Sequence, residues 1–80
     1  MATDKLQAWI NLRRADAGVT QEAIAAALGL SQAQVSRILS GAAVLTFQTY
    51  LQLSAVIGFD PVEGIRFVIS HHNTDPDILN

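Results

Sequence analysis

One predicted helix face carries side chains that are suited to hydrogen bonding and close packing: Gln32, Ala33, Ser36 and Arg37. Glutamine and arginine pair bidentately with the edges of adenine and guanine in the major groove of DNA. Serine hydrogen-bonds to either kind of base, and a small apolar side chain such as Ala33 contacts the methyl group of thymine. The chemistry expected of this face is therefore the reading of base edges.

Residues 18–41 are predicted to position this face by forming two short helices joined by a tight corner. Thr20 is suited to cap the first helix, and Gly29 is suited to end it with a left-handed backbone. Ser31 begins the second helix, and Gln34 three residues later completes a capping box. The apolar residues of both helices keep helical spacing: Ile24, Ala25, Leu28, Val35, Ile38 and Leu39. This pattern is typical of a helix-turn-helix.

The chain has 80 residues, no cysteine and a net charge of −2. Its length and lack of cysteine predict one small domain without a disulfide framework. It has no apolar signal-peptide core and no run of about 20 apolar residues, so we expect a cytoplasmic protein that does not enter a membrane. Residues 1–58 carry four basic and three acidic side chains, whereas residues 59–80 carry one basic and four acidic. A nucleic acid would therefore meet a weakly basic surface and release few counterions.

The histidines and the acidic residues of the C-terminal segment do not form a recognisable catalytic or metal site. His71 and His72 are adjacent, so they cannot face one ligand together from a helix or a strand. Asp75 and Asp77 precede no metal-binding loop. Neither a strained nucleophile turn nor a phosphate-cradling glycine loop is visible. We therefore expect no enzymatic activity, no metal and no cofactor.

We predict an all-α domain of four or five helices over residues 1–70, followed by a polar tail over residues 71–80. Four of the helices are expected at about residues 4–17, 20–28, 31–39 and 46–57. The apolar sector of the fourth helix is broad: Phe47, Tyr50, Leu51, Leu53 and Ile57. Residues 61–70 fit two structures. Asp60 and Pro61 indicate the start of a fifth helix, whereas Gly64 and the β-branched and aromatic residues favour a strand.

Residues 60–70 are more apolar than a single surface element should be, so they are the predicted dimerisation element. The residues of the predicted interface are Val62, Ile65, Phe67, Val68 and Ile69. If this element is a strand, it would pair with its symmetry mate in a short β-ribbon. If it is a helix, it would pack against the same helix of a second copy.

Over about residues 6–60, the chain resembles the Cro/C-repressor (lambda-repressor-like) helix-turn-helix family of phage and bacterial regulators. The matching residues are Arg14, Gly18, Thr20-Gln21-Glu22, Ile24-Ala25, Leu28-Gly29-Leu30-Ser31, Val35-Ser36-Arg37-Ile38, Gly41 and residues 46–58. The resemblance implies a lambda-repressor-like fold, a base contact at Gln32 and a phosphate contact at Gln21, where a helix N-terminus attracts an anion. The connection at residues 42–45 is often basic in relatives, and here it carries no charge.

Three further residues are candidates for phosphate contacts: Arg13, Arg14 and Gln34. Arg13 and Gln34 also fit the role of solvated surface residues. Some relatives pair the arginine of the first helix with an acid near the end of the third helix, but here Arg14 faces Leu39. Arg14 could therefore reach Glu22, solvent or phosphate.

The predicted function is that of a sequence-specific DNA-binding transcription regulator. In this interpretation the protein is a homodimeric repressor that binds double-stranded DNA at an operator with two-fold symmetry. The alternative is a protein-interaction module of the antitoxin or anti-activator type with weak or no DNA binding, which the acidity and the uncharged connection favour.

Overall fold

The computed structural model describes residues 2–72 and, within them, the side chains of residues 5–70. This part of the chain forms five α-helices and no strand. The helices are α1 (Ala2–Ala17), α2 (Gln21–Leu28), α3 (Gln32–Ser40), α4 (Phe47–Ile57) and α5 (Pro61–His72). The predicted all-α architecture is confirmed.

Residues 61–70 are helical, so the strand alternative for this segment is wrong. The Asp60 carboxylate accepts a hydrogen bond from the Val62 N–H at 2.9 Å, and Pro61 occupies the first helical position. These local signals establish the helix although its β-branched residues have a lower helix propensity. Helix α5 extends through His72, two residues into the segment predicted as a tail, and residues 73–80 lie outside the described part of the chain.

The core lies where α1 packs against α3 and α5, and where α2 packs against α3 and α4. Its most deeply buried apolar side chains come one from each of the first four helices: Ile10, Ile24, Val35 and Leu53. Trp9 connects this core to the C-terminal part of the chain. Its ring meets Phe59 edge to face and stacks on Phe67 of α5, with centroids 5.0 Å and 6.1 Å apart. An aromatic cluster therefore holds α5 on the core.

Gly64 allows α5 to approach α4 and α1 closely. The Tyr50 hydroxyl of α4 donates a hydrogen bond to the Pro61 carbonyl of α5. A Cβ atom placed on Gly64 would collide with that hydroxyl and would lie 3.0 Å from Cζ3 of Trp9. Burial, and secondarily the negative charge of Asp60, raises the pKa of Tyr50, so the hydroxyl stays protonated and able to donate. Glycine is thus needed here for space.

We expect the Gly64→Ala variant to be destabilised, with a free energy of unfolding lower by about 1–3 kcal/mol, the usual cost of overpacking a core. This cost should exceed the gain of about 0.5–1 kcal/mol that alanine normally brings to a helix interior. Urea unfolding followed by circular dichroism measures the difference.

The same substitution in a Tyr50→Phe background should cost less, because the colliding hydroxyl is absent. The matched control is Ser70→Ala, at an exposed position of α5, with an expected change within about 0.5 kcal/mol. A stabilised Gly64→Ala variant, or an equal cost in both backgrounds, would contradict the steric explanation.

Candidate nucleic-acid interface

The corner between α2 and α3 is formed by local capping interactions. The Thr20 hydroxyl oxygen accepts a hydrogen bond from the Ala23 N–H at 3.0 Å and caps the start of α2. Gly29 follows the last residue of α2 with φ of 70°, a conformation that favours glycine, and the Leu30 N–H donates to the Ala25 carbonyl at 3.0 Å. Both capping roles agree with the sequence prediction, and they fix the angle at which the chain enters α3.

Helix α3 begins with the predicted capping box. The Ser31 hydroxyl oxygen accepts from the Gln34 N–H at 3.1 Å, and Oε1 of Gln34 accepts from the Ser31 N–H at 2.9 Å. This second bond occupies the carbonyl oxygen of the Gln34 side chain. The NH₂ group of Gln34 has no partner among the described residues, so the side chain can donate to a ligand.

The outer face of α3 is exposed to solvent. The four predicted base-contacting residues lie on it: Gln32, Ala33, Ser36 and Arg37. On the opposite side, Val35 and Leu39 are buried in the core. Within residues 5–70, the side chains of Gln32, Ser36 and Arg37 make no hydrogen bond or ion pair with the rest of the chain. Their donors and acceptors are free to engage a ligand.

Gln7 fixes the far end of α3, and the sequence analysis did not identify it. Its side chain is only 2% exposed. Its Nε2 donates to the Ile38 carbonyl at 2.5 Å and to the Ala43 carbonyl at 2.9 Å. The signal that would have found Gln7 is its position three residues before the buried Ile10, on the core side of α1.

Two predicted phosphate-contacting residues lie near the start of α2. Gln21 is the first residue of this helix and is half-buried. Arg14 is also half-buried: its Nε donates to Oδ1 of Asn11 at 2.9 Å, and its Nη1 donates to the Val19 carbonyl at 3.1 Å. Arg14 therefore holds the turn that leads to Thr20, and its other donors remain available.

Arg13 lies toward α5. Its guanidinium is 3.7 Å from the Glu63 carboxylate and lies over the Trp9 ring, 5.0 Å from the centroid. The two charged groups are about half exposed, so this pair contributes little to stability. The described contacts of Arg13 are thus with α5 and with its own helix.

Two surface clefts lie at different places on the domain. The first, of about 250 Å³, separates α3 from the connection that follows it, and it brings Gln34 and Arg37 together. The second, of about 280 Å³, lies between α1 and the α4–α5 corner and is lined by Asp16, Asp60 and Glu63 beside Arg13. Carboxylates are therefore concentrated at the second cleft, and the first is bordered by a cation.

Three residues of the predicted dimer interface form an exposed stripe on α5. Val62, Ile65 and Ile69 are 50%, 43% and 53% exposed, and they follow one another at helical spacing. Phe67 contacts Trp9, and Val68 is half-buried. The predicted interface residues are thus divided between the core side and the solvent side of α5.

The described helices include none that is long and apolar enough to span a bilayer. Within the described residues, no group of three or more His, Cys, Asp or Glu side chains is arranged to hold a metal ion.

Replacing Gln7 with methionine should lower the free energy of unfolding by about 1–3 kcal/mol, because the Ala43 carbonyl loses a buried donor. We also expect faster amide hydrogen exchange in residues 41–45, since their anchor to α1 is gone. Urea unfolding and exchange measured by NMR test the two effects. The control is Gln52→Met at an exposed position of α4. Equal behaviour of the two variants would show that Gln7 does not anchor the connection.

A family model described as a helix-turn-helix domain matches residues 10–64 of the chain. No curated protein matches the chain, and no solved structure matches it. The matched segment runs from the middle of α1 into α5, and it includes both capped helices and the corner between them. The narrower resemblance to Cro/C-repressor proteins stays a prediction. Since the match covers more than half of the 80 residues, the chain belongs to the helix-turn-helix domain family.

Proposed function

We propose that this helix-turn-helix protein is a sequence-specific DNA-binding transcription regulator that inserts α3 into the major groove. The observation that carries this proposal is the outer face of α3. There, Gln32, Ser36 and Arg37 are exposed and have no partner among the described residues. When a helix-turn-helix docks on DNA, the N-terminal part of its second helix faces the base edges.

The four residues of this face have distinct roles in the proposal. Gln32 pairs bidentately with adenine, and Arg37 pairs bidentately with guanine. Ser36 hydrogen-bonds to a base edge, and Ala33 contacts a thymine methyl group. Each good bidentate pair discriminates against a wrong base by about 1–3 kcal/mol.

Four other residues contact phosphates in the proposal. Gln21 lies at the N-terminus of α2, where backbone N–H groups and the helix dipole attract anions. Gln34 contributes its free NH₂ group, and Arg14 contributes the guanidinium donors that its intrachain bonds leave over. Arg13 would first have to give up its weak pair with Glu63.

We further propose that the protein acts as a two-fold dimer on an inverted-repeat operator and represses by blocking polymerase. One chain has only five basic residues, so a second copy doubles both the cations and the bases read. Two-fold symmetry would place the two copies of α3 about 34 Å apart on one face of the duplex. The exposed stripe of Val62, Ile65 and Ile69 supplies the apolar surface for this contact.

A protein-interaction module of the antitoxin or anti-activator type is the second candidate. Two features favour this module: the net charge of −2, and the cleft lined by Asp16, Asp60 and Glu63. Negative charge disfavours the binding of a polyanion such as DNA. Salt distinguishes the two candidates, because a module of this type would bind DNA weakly at every salt concentration.

Arg37→Ala tests the DNA-binding proposal. A duplex is first selected from a randomised library by the unmodified chain, and dissociation constants are then measured by fluorescence anisotropy between about 50 and 200 mM salt. We expect the affinity of the unmodified chain to fall as salt rises, because its phosphate contacts release counterions. Arg37→Ala should cost about 1–3 kcal/mol on the selected duplex and less on a shuffled one, because a base contact is lost.

Lys5→Ala is the charge-matched control, since Lys5 is exposed on α1. It should bind the selected duplex nearly as the unmodified chain does. Failure of the unmodified chain to bind any duplex with salt dependence would reject the regulator in favour of the protein-interaction module. Equal losses for Arg37→Ala and Lys5→Ala would remove the proposed base contact.

Ile65→Asp tests the dimer interface on α5. A carboxylate in the middle of the apolar stripe should dissociate the dimer, because it would be buried at the interface without a partner. Sedimentation equilibrium measures this change. The helical circular dichroism should be retained, since Ile65 is 43% exposed in the single chain. The control is Leu12→Asp, at an exposed position of α1 outside the stripe. A dimer that survives Ile65→Asp but not Leu12→Asp would place the interface on α1.

A further inference from the structure

The cleft between α3 and the connection that follows it has apolar walls and polar groups along one side. Its apolar lining consists of Leu30, Ile38, Ala43 and Val44, and Val44 is 85% exposed. Its polar lining consists of Gln34, whose NH₂ group can donate, and Arg37, which is a cation. No carboxylate lines this cleft. An occupant that matches it presents large apolar side chains next to a carboxylate.

Residues 73–80, called here the C-terminal segment, have this chemistry and lie outside the described part of the chain. Their sequence, NTDPDILN, contains two acidic and two large apolar residues and no basic one. The two large apolar residues, Ile78 and Leu79, directly follow the carboxylate of Asp77. Pro76 restricts its own backbone and that of the residue before it, so less conformational entropy is lost when this segment is ordered. The segment and the cleft are therefore complementary in charge and in apolar surface.

Helix α5 runs antiparallel to α1, which determines where the C-terminal segment starts. Arg13 of α1 lies beside Glu63 of α5. Trp9, one turn earlier in α1, stacks on Phe67, one turn later in α5. The last residue of α5, His72, therefore lies about 7.5 Å beyond Phe67, toward the start of α1.

The cleft adjoins this same half of α1. Gln7, two residues before Trp9, donates to the Ala43 carbonyl at 2.9 Å, and Ala43 lines the cleft. A helix with its side chains is about 10–12 Å across, whereas eight extended residues span up to about 26 Å. The C-terminal segment is therefore long enough to pass α1 and reach the cleft.

We propose that the C-terminal segment docks in the cleft of its own chain and competes there with DNA. Ile78 and Leu79 pack between the apolar walls, and the Asp77 carboxylate pairs with Arg37 and accepts from the NH₂ group of Gln34. The competition rests on the proposed function, in which Gln34 and Arg37 contact DNA, whereas the docking does not. The docked chain is an autoinhibited state, which DNA can leave only by displacing the segment.

A spin label tests the docking in the absence of DNA. The described residues and the printed sequence contain no cysteine, so a nitroxide attached through Asn80→Cys has a single site. In NMR spectra, the label should broaden the backbone amide signals of Ala43 and Val44 most strongly. It should broaden those of Ala17 and Gly58 less, because these residues line the other cleft.

Ile78→Ser combined with Leu79→Ser should abolish this preference in the labelled chain, because the apolar contacts are lost. The matched control is Asn73→Ser combined with Thr74→Ser, two uncharged changes in the same segment, which should retain it. Mixing spin-labelled chains with ¹⁵N-labelled chains that carry no spin label identifies a segment that docks on a second copy.

Fluorescence anisotropy on the selected duplex tests the competition. If the segment is docked in about nine of ten chains, Ile78→Ser combined with Leu79→Ser should bind DNA about tenfold more tightly than the unmodified chain. These changes remove no charge, so the gain cannot come from weaker repulsion of DNA by Asp75 and Asp77. The Asn73→Ser and Thr74→Ser control should bind as the unmodified chain does.

The outcomes separate this inference from the proposed function. Amide broadening that does not favour the cleft overturns the docking, whether or not the chain binds DNA. Broadening of the same amides only between chains in the mixed sample also overturns it, since a second copy then supplies the segment. Equal DNA affinities of the two double variants overturn the competition. If neither the unmodified chain nor either double variant binds a duplex, the proposed function and the competition fail, and the broadening alone decides the docking.

Discussion

The buried side chain of Gln7 is the contact on which the position of α3 depends. The last carbonyls of a helix have no partner within the helix, and the chain that follows must turn away. Gln7 supplies one NH₂ group with two donors, and it binds one carbonyl of α3 and one of the connection. The end of α3 and the start of the connection that follows it are thereby fixed relative to α1. A side chain without hydrogen-bond donors at position 7 would leave the residues of the α3 surface unchanged, but it would no longer hold α3 and the connection in their relative positions.

The second constraint lies at the C-terminal side, where α5 closes over α1 and α4. Trp9, Phe59 and Phe67 supply the aromatic contacts, and Gly64 supplies the space for the Tyr50 hydroxyl. The two constraints act on different sides of α1. The helix proposed to read DNA and the helix that carries the apolar stripe are therefore both packed against α1.

The sequence was sufficient for features that depend on neighbours along the chain. Thr20, Gly29 and the Ser31–Gln34 capping box were predicted because each cap is formed by residues within a few positions of one another. The sequence did not decide between a helix and a strand for residues 61–70, because a glycine such as Gly64 disfavours a helix interior. Only the structure shows that glycine is needed there, where Tyr50 and Trp9 approach α5. Gln7 was missed for a similar reason. A polar residue in a helix usually indicates the solvent side, and only the tertiary structure reveals carbonyls for it to bind. The broad apolar sector of α4 is only partly buried, since Tyr50, Leu53 and Ile57 are buried whereas Phe47 and Leu51 are exposed.

The surroundings of Trp9 have one more consequence. It is the only indole in the chain, and on two sides it touches the part of the molecule that follows α4, through Phe59 and Phe67. The Arg13 guanidinium lies over its ring from within α1. Its fluorescence should therefore change when the C-terminal helix detaches from α1, as well as when the core itself unfolds. The protein carries a built-in optical reporter that follows this movement without a label.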